Sequence, residues 1–106
     1  MYNSIIEIDV TYPNMDEARS VSKALFDDKV IACVSYSDVE SEYVWGGELK
    51  REKEVLATYK TIYNNQAYIQ DRILGLHSYE VPMIFVKTVN TNQEYMRWVI
   101  NSVVSV

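Results

Sequence analysis

Glu40-Ser41-Glu42-Tyr43-Val44-Trp45-Gly46-Gly47-Glu48-Leu49-Lys50-Arg51-Glu52-Lys53 sets two adjacent glycines between two runs of charged and strand-forming residues. Both glycines can take positive φ, as a two-residue hairpin turn requires, so Gly46-Gly47 reads as the turn. Counting outward puts Val44 opposite Leu49, Glu42 opposite Arg51 and Glu40 opposite Lys53. One apolar pair and two opposite-charge pairs then share a face, each contributing roughly 0.2–1 kcal/mol. The turn fixes the register, and the charges agree with it. Both arms are long. Val30–Tyr36 reads as a strand continuing toward Trp45, and Glu48–Ile62 as its partner, with Val55-Leu56-Ala57 in the far half.

Outside the hairpin, Ile5–Thr11 alternates Ile6, Ile8 and Val10 with Glu7, Asp9 and Thr11, the period of a strand, and Pro13 ends it. Asn14 followed by Glu17 resembles a capping box, and Ala18, Val21, Ala24 and Leu25 recur at helical spacing toward an end near Asp28-Lys29. Asn64-Asn65 opens a second helix carrying Ile69, Ile73 and Leu76. Gly75 near its end is either a cap or a helical residue costing about 1 kcal/mol. Met83–Val89 reads as a fourth strand. Thr91 with Glu94 resembles another capping box, ahead of a last helix with Tyr95, Trp98, Val99 and Ser102 on one face.

The order is βαββαβ plus a C-terminal helix. It predicts an α+β, ferredoxin-like sandwich over one domain, 1–106, with an antiparallel four-stranded sheet and two helices on one face. The hairpin strains that frame. Arms of ~15 residues span roughly 50 Å, whereas a domain of this length is only about 33 Å across. The hairpin must therefore bend, bulge or lie on another subunit. Tyr43 and Trp45 near its tip would otherwise meet water, which favours a homo-oligomer.

A chain of 106 residues buries about two-thirds of its unfolded surface. Its 48% hydrophobic and 24% charged content excludes wholesale disorder. Nine tyrosines are many for this length, and each buried hydroxyl needs a partner. A net charge of −5 argues against nucleic acid or an anionic membrane as partner. An RNA-recognition domain shares the element order but needs basic and aromatic residues on its central strands; Ile5–Thr11 carries Glu7 and Asp9 instead. Cys33 is the one cysteine, which excludes an intrachain disulfide and fits a reducing compartment. Met1-Tyr2-Asn3-Ser4 runs into the first strand without a leader pattern, and no apolar run is long enough to span a bilayer. The expected location is cytoplasmic.

His77-Ser78-Tyr79-Glu80-Val81-Pro82 gathers the lone histidine, a phenol, a carboxylate and a proline where a helix gives way to a strand. His77 is a candidate metal ligand or proton exchanger. A monomer cannot close a metal site with it, but the symmetry of an oligomer could multiply it, and mixed N and O ligands suit Cu(II). The alternative is a histidine hydrogen-bonded at a helix end and favoured by the dipole there. Cys33, between Ala32 and Val34, reads as core. Lys60 interrupts an apolar strand end, either snorkelling to water or pairing with a carboxylate such as Glu80. Glu52 and Glu54, at strand spacing, read as a solvated face, and Tyr95 and Trp98 as core or interface.

Four blocks, Ile31-Ala32-Cys33-Val34, Tyr43-Val44-Trp45-Gly46-Gly47-Glu48-Leu49, Glu54-Val55-Leu56 leading to Lys60-Thr61, and His77-Ser78-Tyr79-Glu80-Val81-Pro82, resemble the CutA divalent-cation tolerance family in order and spacing. The resemblance implies a tight homotrimer, PII-like in architecture, whose hairpins cross between subunits, with Tyr43 and Trp45 at the trimer interface. It implies an inter-subunit cleft holding Lys60, His77, Tyr79 and Glu80, suited to a small anionic or metal-chelated ligand. Cu(II) or another divalent cation is the implied partner, with His77 as metal ligand. No organic cofactor and no agreed enzymatic activity go with it. The sequence departs from the family pattern at Ser78, usually proline, at Ser35, usually asparagine, and at Gly46, usually acidic. Val10 stands where some bacterial members carry a metal-binding cysteine, and Leu76 where a second histidine can occur. Two functions follow: a trimeric module that binds a cation or small ligand, or a trimeric scaffold whose polar cleft serves assembly alone.

Overall fold

A computed structural model describes residues 3–106; Met1 and Tyr2, read above as leading into the first strand, lie outside the described residues. The elements follow in the order β1 (Ser4–Tyr12), α1 (Met15–Asp27), β2 (Cys33–Trp45), β3 (Glu48–Thr61), a short 3-10 turn (Tyr63–Asn65), α2 (Gln66–Leu76), β4 (Ile84–Asn90) and α3 (Gln93–Ser102). The strands form one antiparallel sheet in the order β2-β3-β1-β4. This is the α+β arrangement that the element order predicts.

Alternation along β1 divides the sheet into two faces. Ile6, Ile8, Val10 and Tyr12 pack with Val55, Ala57 and Tyr59 of β3 against Ala18, Val21 and Leu25 of α1 and Ile69 and Ile73 of α2. Each of the larger aliphatic side chains contributes roughly 1.5–3 kcal/mol by leaving water. Two tyrosines are fully buried there, and their hydroxyls are satisfied in series. Ser22 Oγ donates to Ala18 O at 2.8 Å, so it accepts from Tyr59 at 3.0 Å, and Tyr59 accepts from Tyr12 at 2.7 Å. Burial holds both phenols well above their ordinary pKa, so they remain protonated donors.

The helix ends show which local signals were sufficient. Asn14 Oδ1 accepts from Glu17 N at 2.8 Å, half of the expected capping box. α1 closes as a Schellman turn: Val30 N–H donates to Leu25 O, Lys29 N–H to Phe26 O, and Lys29 takes φ 61°. The second box does not form. Thr91 is held through its N–H to Asn3 O, just ahead of β1, its hydroxyl turns to the Asn92 side chain, and Asn92 takes the N-cap position of α3. Asn65 stands at the start of α2, as expected, but its side chain makes no capping bond. Fully buried, it donates to Val30 O and Val104 O and accepts from Val106 N, tying down the C-terminal tail. Gly75 is helical, and Leu76, expected on the apolar face, is exposed.

The opposite sheet face carries Ile5, Glu7 and Asp9 of β1. α3 contacts β1 and β3 and buries Val99. Trp98 leans on Tyr95 at 5.6 Å between ring centroids but stays half exposed. Cys33, expected in the core, lies on this face, opposite Lys60 and half-buried. Strand β2 begins only at Cys33, because Val30 and Ile31 are spent filling the core below α1.

The hairpin has the register read from its turn: Val44 faces Leu49, Glu42 faces Arg51 and Glu40 faces Lys53. Gly46 and Gly47 have φ 60° and 79°. The ladder of β1 on β3 stops at Tyr12 opposite Val55. Beyond it, Val39–Trp45 and Glu48–Glu54 pair only with each other among the described residues. That arm makes the molecule 46 Å long against 27 and 21 Å in the other directions.

Candidate functional site

A cleft of about 610 Å³ opens between the hairpin arm and the segment joining α2 to β4. The pleat puts odd residues of β2 and even residues of β3 on one face, so Tyr43 and Trp45 join Glu52 and Glu54 along one wall. Tyr79, Glu80, Val81 and Met83 form the other. The Tyr79 hydroxyl crosses the gap and donates to Glu54 Oε2 at 2.6 Å. Burial, followed by the Glu54 carboxylate, pushes the Tyr79 phenol above its ordinary range. Tyr43 is shifted the same way, by burial and then by the nearby Glu52 carboxylate. Tyr79 is therefore a donor held by a carboxylate.

What aims Tyr79 is the knot around His77. Its backbone N–H ends α2 on Ile73 O at 2.9 Å. The side chain is fully buried and stacks on Tyr12, with centroids 4.7 Å apart and planes at 11°. Tyr79 N–H donates to Nδ1 at 3.0 Å, which assigns the proton to Nε2, and Nε2 donates to Thr11 O at 2.7 Å. Glu17 Oε2 lies 3.6 Å from Nδ1 but accepts Ser78 N–H at 3.1 Å. Both ring nitrogens are thus engaged. A metal reaching His77 would have to displace Tyr79 N–H or Thr11 O.

Lys60 is elsewhere. Its ammonium lies 3.7 Å from Glu7 on the open sheet face rather than near Glu80. Glu7 also faces Lys87 at 3.5 Å, and Lys87 binds Asp9 at 2.7 Å, which holds the ammonium above its usual pKa. Asp9 Oδ1 is buried without a partner. Among the described residues, no three His, Cys, Asp or Glu side chains come close enough to hold a metal ion.

The structure thus brings Tyr79 and Glu80 together with Tyr43 and Trp45, sets His77 behind Tyr79 at 4.8 Å between centroids, and keeps Lys60 apart. Glu54 corrects the solvated-face reading: it is only 8% exposed. Its strand spacing was visible in the sequence; the loop that covers it was not. Glu17 was placed at its helix start, but its bond to Ser78 joins residues 61 apart and leaves no local signal.

The fold has close counterparts. The family described as CutA1 divalent ion tolerance protein matches residues 6–102. The divalent-cation tolerance protein CutA of Thermotoga maritima is 35% identical over 94 residues, covering 88% of this chain and 93% of that protein. The crystal structure of CutA1 from Pyrococcus horikoshii superposes with a TM-score of 0.90 at 32% identity, covering 94% of this chain and 99% of that one. An Archaeoglobus fulgidus structure, described as the periplasmic divalent cation tolerance protein CutA, has a TM-score of 0.88 at 26% identity, covering 93% and 97%. No helix among the described residues is long and apolar enough to cross a membrane. With its family match running almost end to end, its relatives above 30% identity and its sheet superposing on theirs, the chain belongs to the CutA1 divalent-cation tolerance family.

Proposed function

We propose that the chain forms a PII-like homotrimer in which each hairpin arm lies against a neighbour. Its clefts beside Tyr79 and Glu80 bind a divalent cation, Cu(II) among them, or a small ligand, without catalysis. The carrying observation is the arm that outruns the ladder of β1 and leaves Val44, Trp45 and Leu49 exposed at its tip. A two-stranded ribbon is at best marginally stable alone in water, so a neighbouring subunit is the natural support, with Tyr43 and Trp45 at the contact. Lys60 lies six residues along β3 from Glu54, roughly 20 Å away, and serves the same ligand only across a subunit boundary. His77 joins a metal only by giving up one of its two hydrogen bonds. The free thiol of Cys33 suits a cytoplasmic location, which cell fractionation would check against the periplasmic description of the Archaeoglobus protein.

Titration calorimetry with Cu(II) and Zn(II) on wild type and Glu80→Gln, with His77→Ala alongside, tests the binding reading. Saturable heat in the wild type that weakens in the variants supports it. The absence of saturable heat with either ion favours the second reading, a trimeric scaffold without ligand chemistry. The doubly bonded ring of His77 is the observation on that side.

A further inference from the structure

A ring of three joins unlike patches: what one copy gives, the next must receive elsewhere on its surface. The giving patch is the arm, with Tyr43 and Trp45 on one side of its pleat. That same face continues along the hairpin to Cys33 opposite Lys60. Lys60 lies twelve residues from Glu48 along β3, and so roughly 40 Å from the tip. Helix α3 sits at that far end. Val99 of α3 and Ile5 of β1 are both buried outside the main core. Burial, and then the Cys33 thiol, lift the Tyr95 phenol above its ordinary range, which sets α3 over the start of β2. One flank of the helix has no cover: Trp98 leans on Tyr95 yet is as exposed as Trp45 on the arm. An uncovered tryptophan thus stands at each end of one sheet face. Charge agrees with joining the two ends. The arm carries Glu52 beside Tyr43. At the far end Lys60 has, among the described residues, Glu7 alone at 3.7 Å, and shares it with Lys87.

We propose that the flank of α3 built from Tyr95 and Trp98 receives the hairpin arm of the next copy, Trp45 of one subunit packing on Trp98 of another. The proposal rests on the reading of the chain as a trimer and adds the receiving surface. Aromatic pairs in offset or edge-on contact stabilise beyond the area they bury. The same approach brings Glu52 of the arm toward Lys60 of its neighbour.

Cross-linking between mixed chains tests the contact directly. In a Cys33→Ser background, one chain carries Glu48→Cys, opposite Trp45 on the arm, and another carries Asn101→Cys, three residues beyond Trp98 on α3. Co-expressed and treated with a short bis-maleimide, the mixture should give a covalent dimer on a denaturing gel. Neither chain alone should. Trp98→Ala should raise the trimer dissociation constant at least about tenfold. The double variant Trp45→Ala, Trp98→Ala should fall within about twofold of Trp45→Ala, because the two lose one shared contact. Leu74→Ala, exposed on α2, should leave assembly unchanged. A trimer that Trp98→Ala leaves intact, strictly additive losses, or no cross-link in the mixture overturns this inference while the trimer reading stands. A wild type that is monomeric by light scattering overturns the trimer reading, and this contact with it.

Discussion

Single side chains are held here mainly by partners far away in sequence, and the buried hydroxyl series makes that testable. Tyr12 has Tyr59 as its hydroxyl partner, whereas Tyr59 also has Ser22. Tyr12→Phe therefore leaves a satisfied donor at Tyr59 and should cost about 0.5–1.5 kcal/mol. Tyr59→Phe strands the Tyr12 hydroxyl in the core and should cost more, about 1–3 kcal/mol. Urea unfolding midpoints of the two variants order the effects; equal midpoints, or the reverse order, would refute the donor chain. The abundance of tyrosine signalled in the sequence that such partners must exist. It could not say which, because the bond joins residues 47 apart. His77 shows the same division. Its place at a helix end was legible, but its stacking on Tyr12 depends on β1 and α2 meeting in space.

Among elements, those closed by local chemistry were the readable ones. The hairpin register followed from two glycines and the charges beside them, and α1 began and ended where its cap and its Schellman turn are. The Thr91-Glu94 box failed because Asn3, just ahead of β1, holds Thr91, a contact invisible at that spacing. The pairing of Lys87 with Asp9 likewise needs the β1–β4 register, which no turn between those strands specifies. The end of α1 carries a cost that can be removed. Lys29 sits in the left-handed region, where a Cβ is disfavoured by about 1–2 kcal/mol, while glycine adopts it freely. Lys29→Gly pays back part of that in the flexibility of its unfolded chain, so the net gain should be about 0.5–1 kcal/mol. The expected result is a rise of a few degrees in melting temperature by calorimetry. An unchanged or lower melting temperature would mean that the lysine side chain stabilises the turn in some other way.

The whole molecule turns on an arm longer than its own sheet, and assembly and internal stability should respond to different residues. The length of the arm was legible, because strand rise and domain radius follow from residue count alone. The surface that receives it was not, because in the proposed trimer that surface belongs to another copy of the chain. Trp45 near the tip is 49% exposed, flanked by Val44 and opposite Glu48. A large aromatic at a subunit contact typically contributes 2 kcal/mol or more to association, so Trp45→Ala should raise the dissociation constant about 30-fold or more. Its effect on the fold of one subunit should be small, since it fills no place in the core. His77→Ala is the opposite case. It empties a fully buried site under Tyr12 and releases Tyr79 N–H and Thr11 O, so urea resistance should fall while the trimer persists. Light scattering over a dilution series, with urea unfolding of the same samples, reads the two effects separately. If Trp45→Ala dissociates at the same concentration as wild type, or the wild type is a stable monomer throughout, the arm is supported by something other than its neighbours.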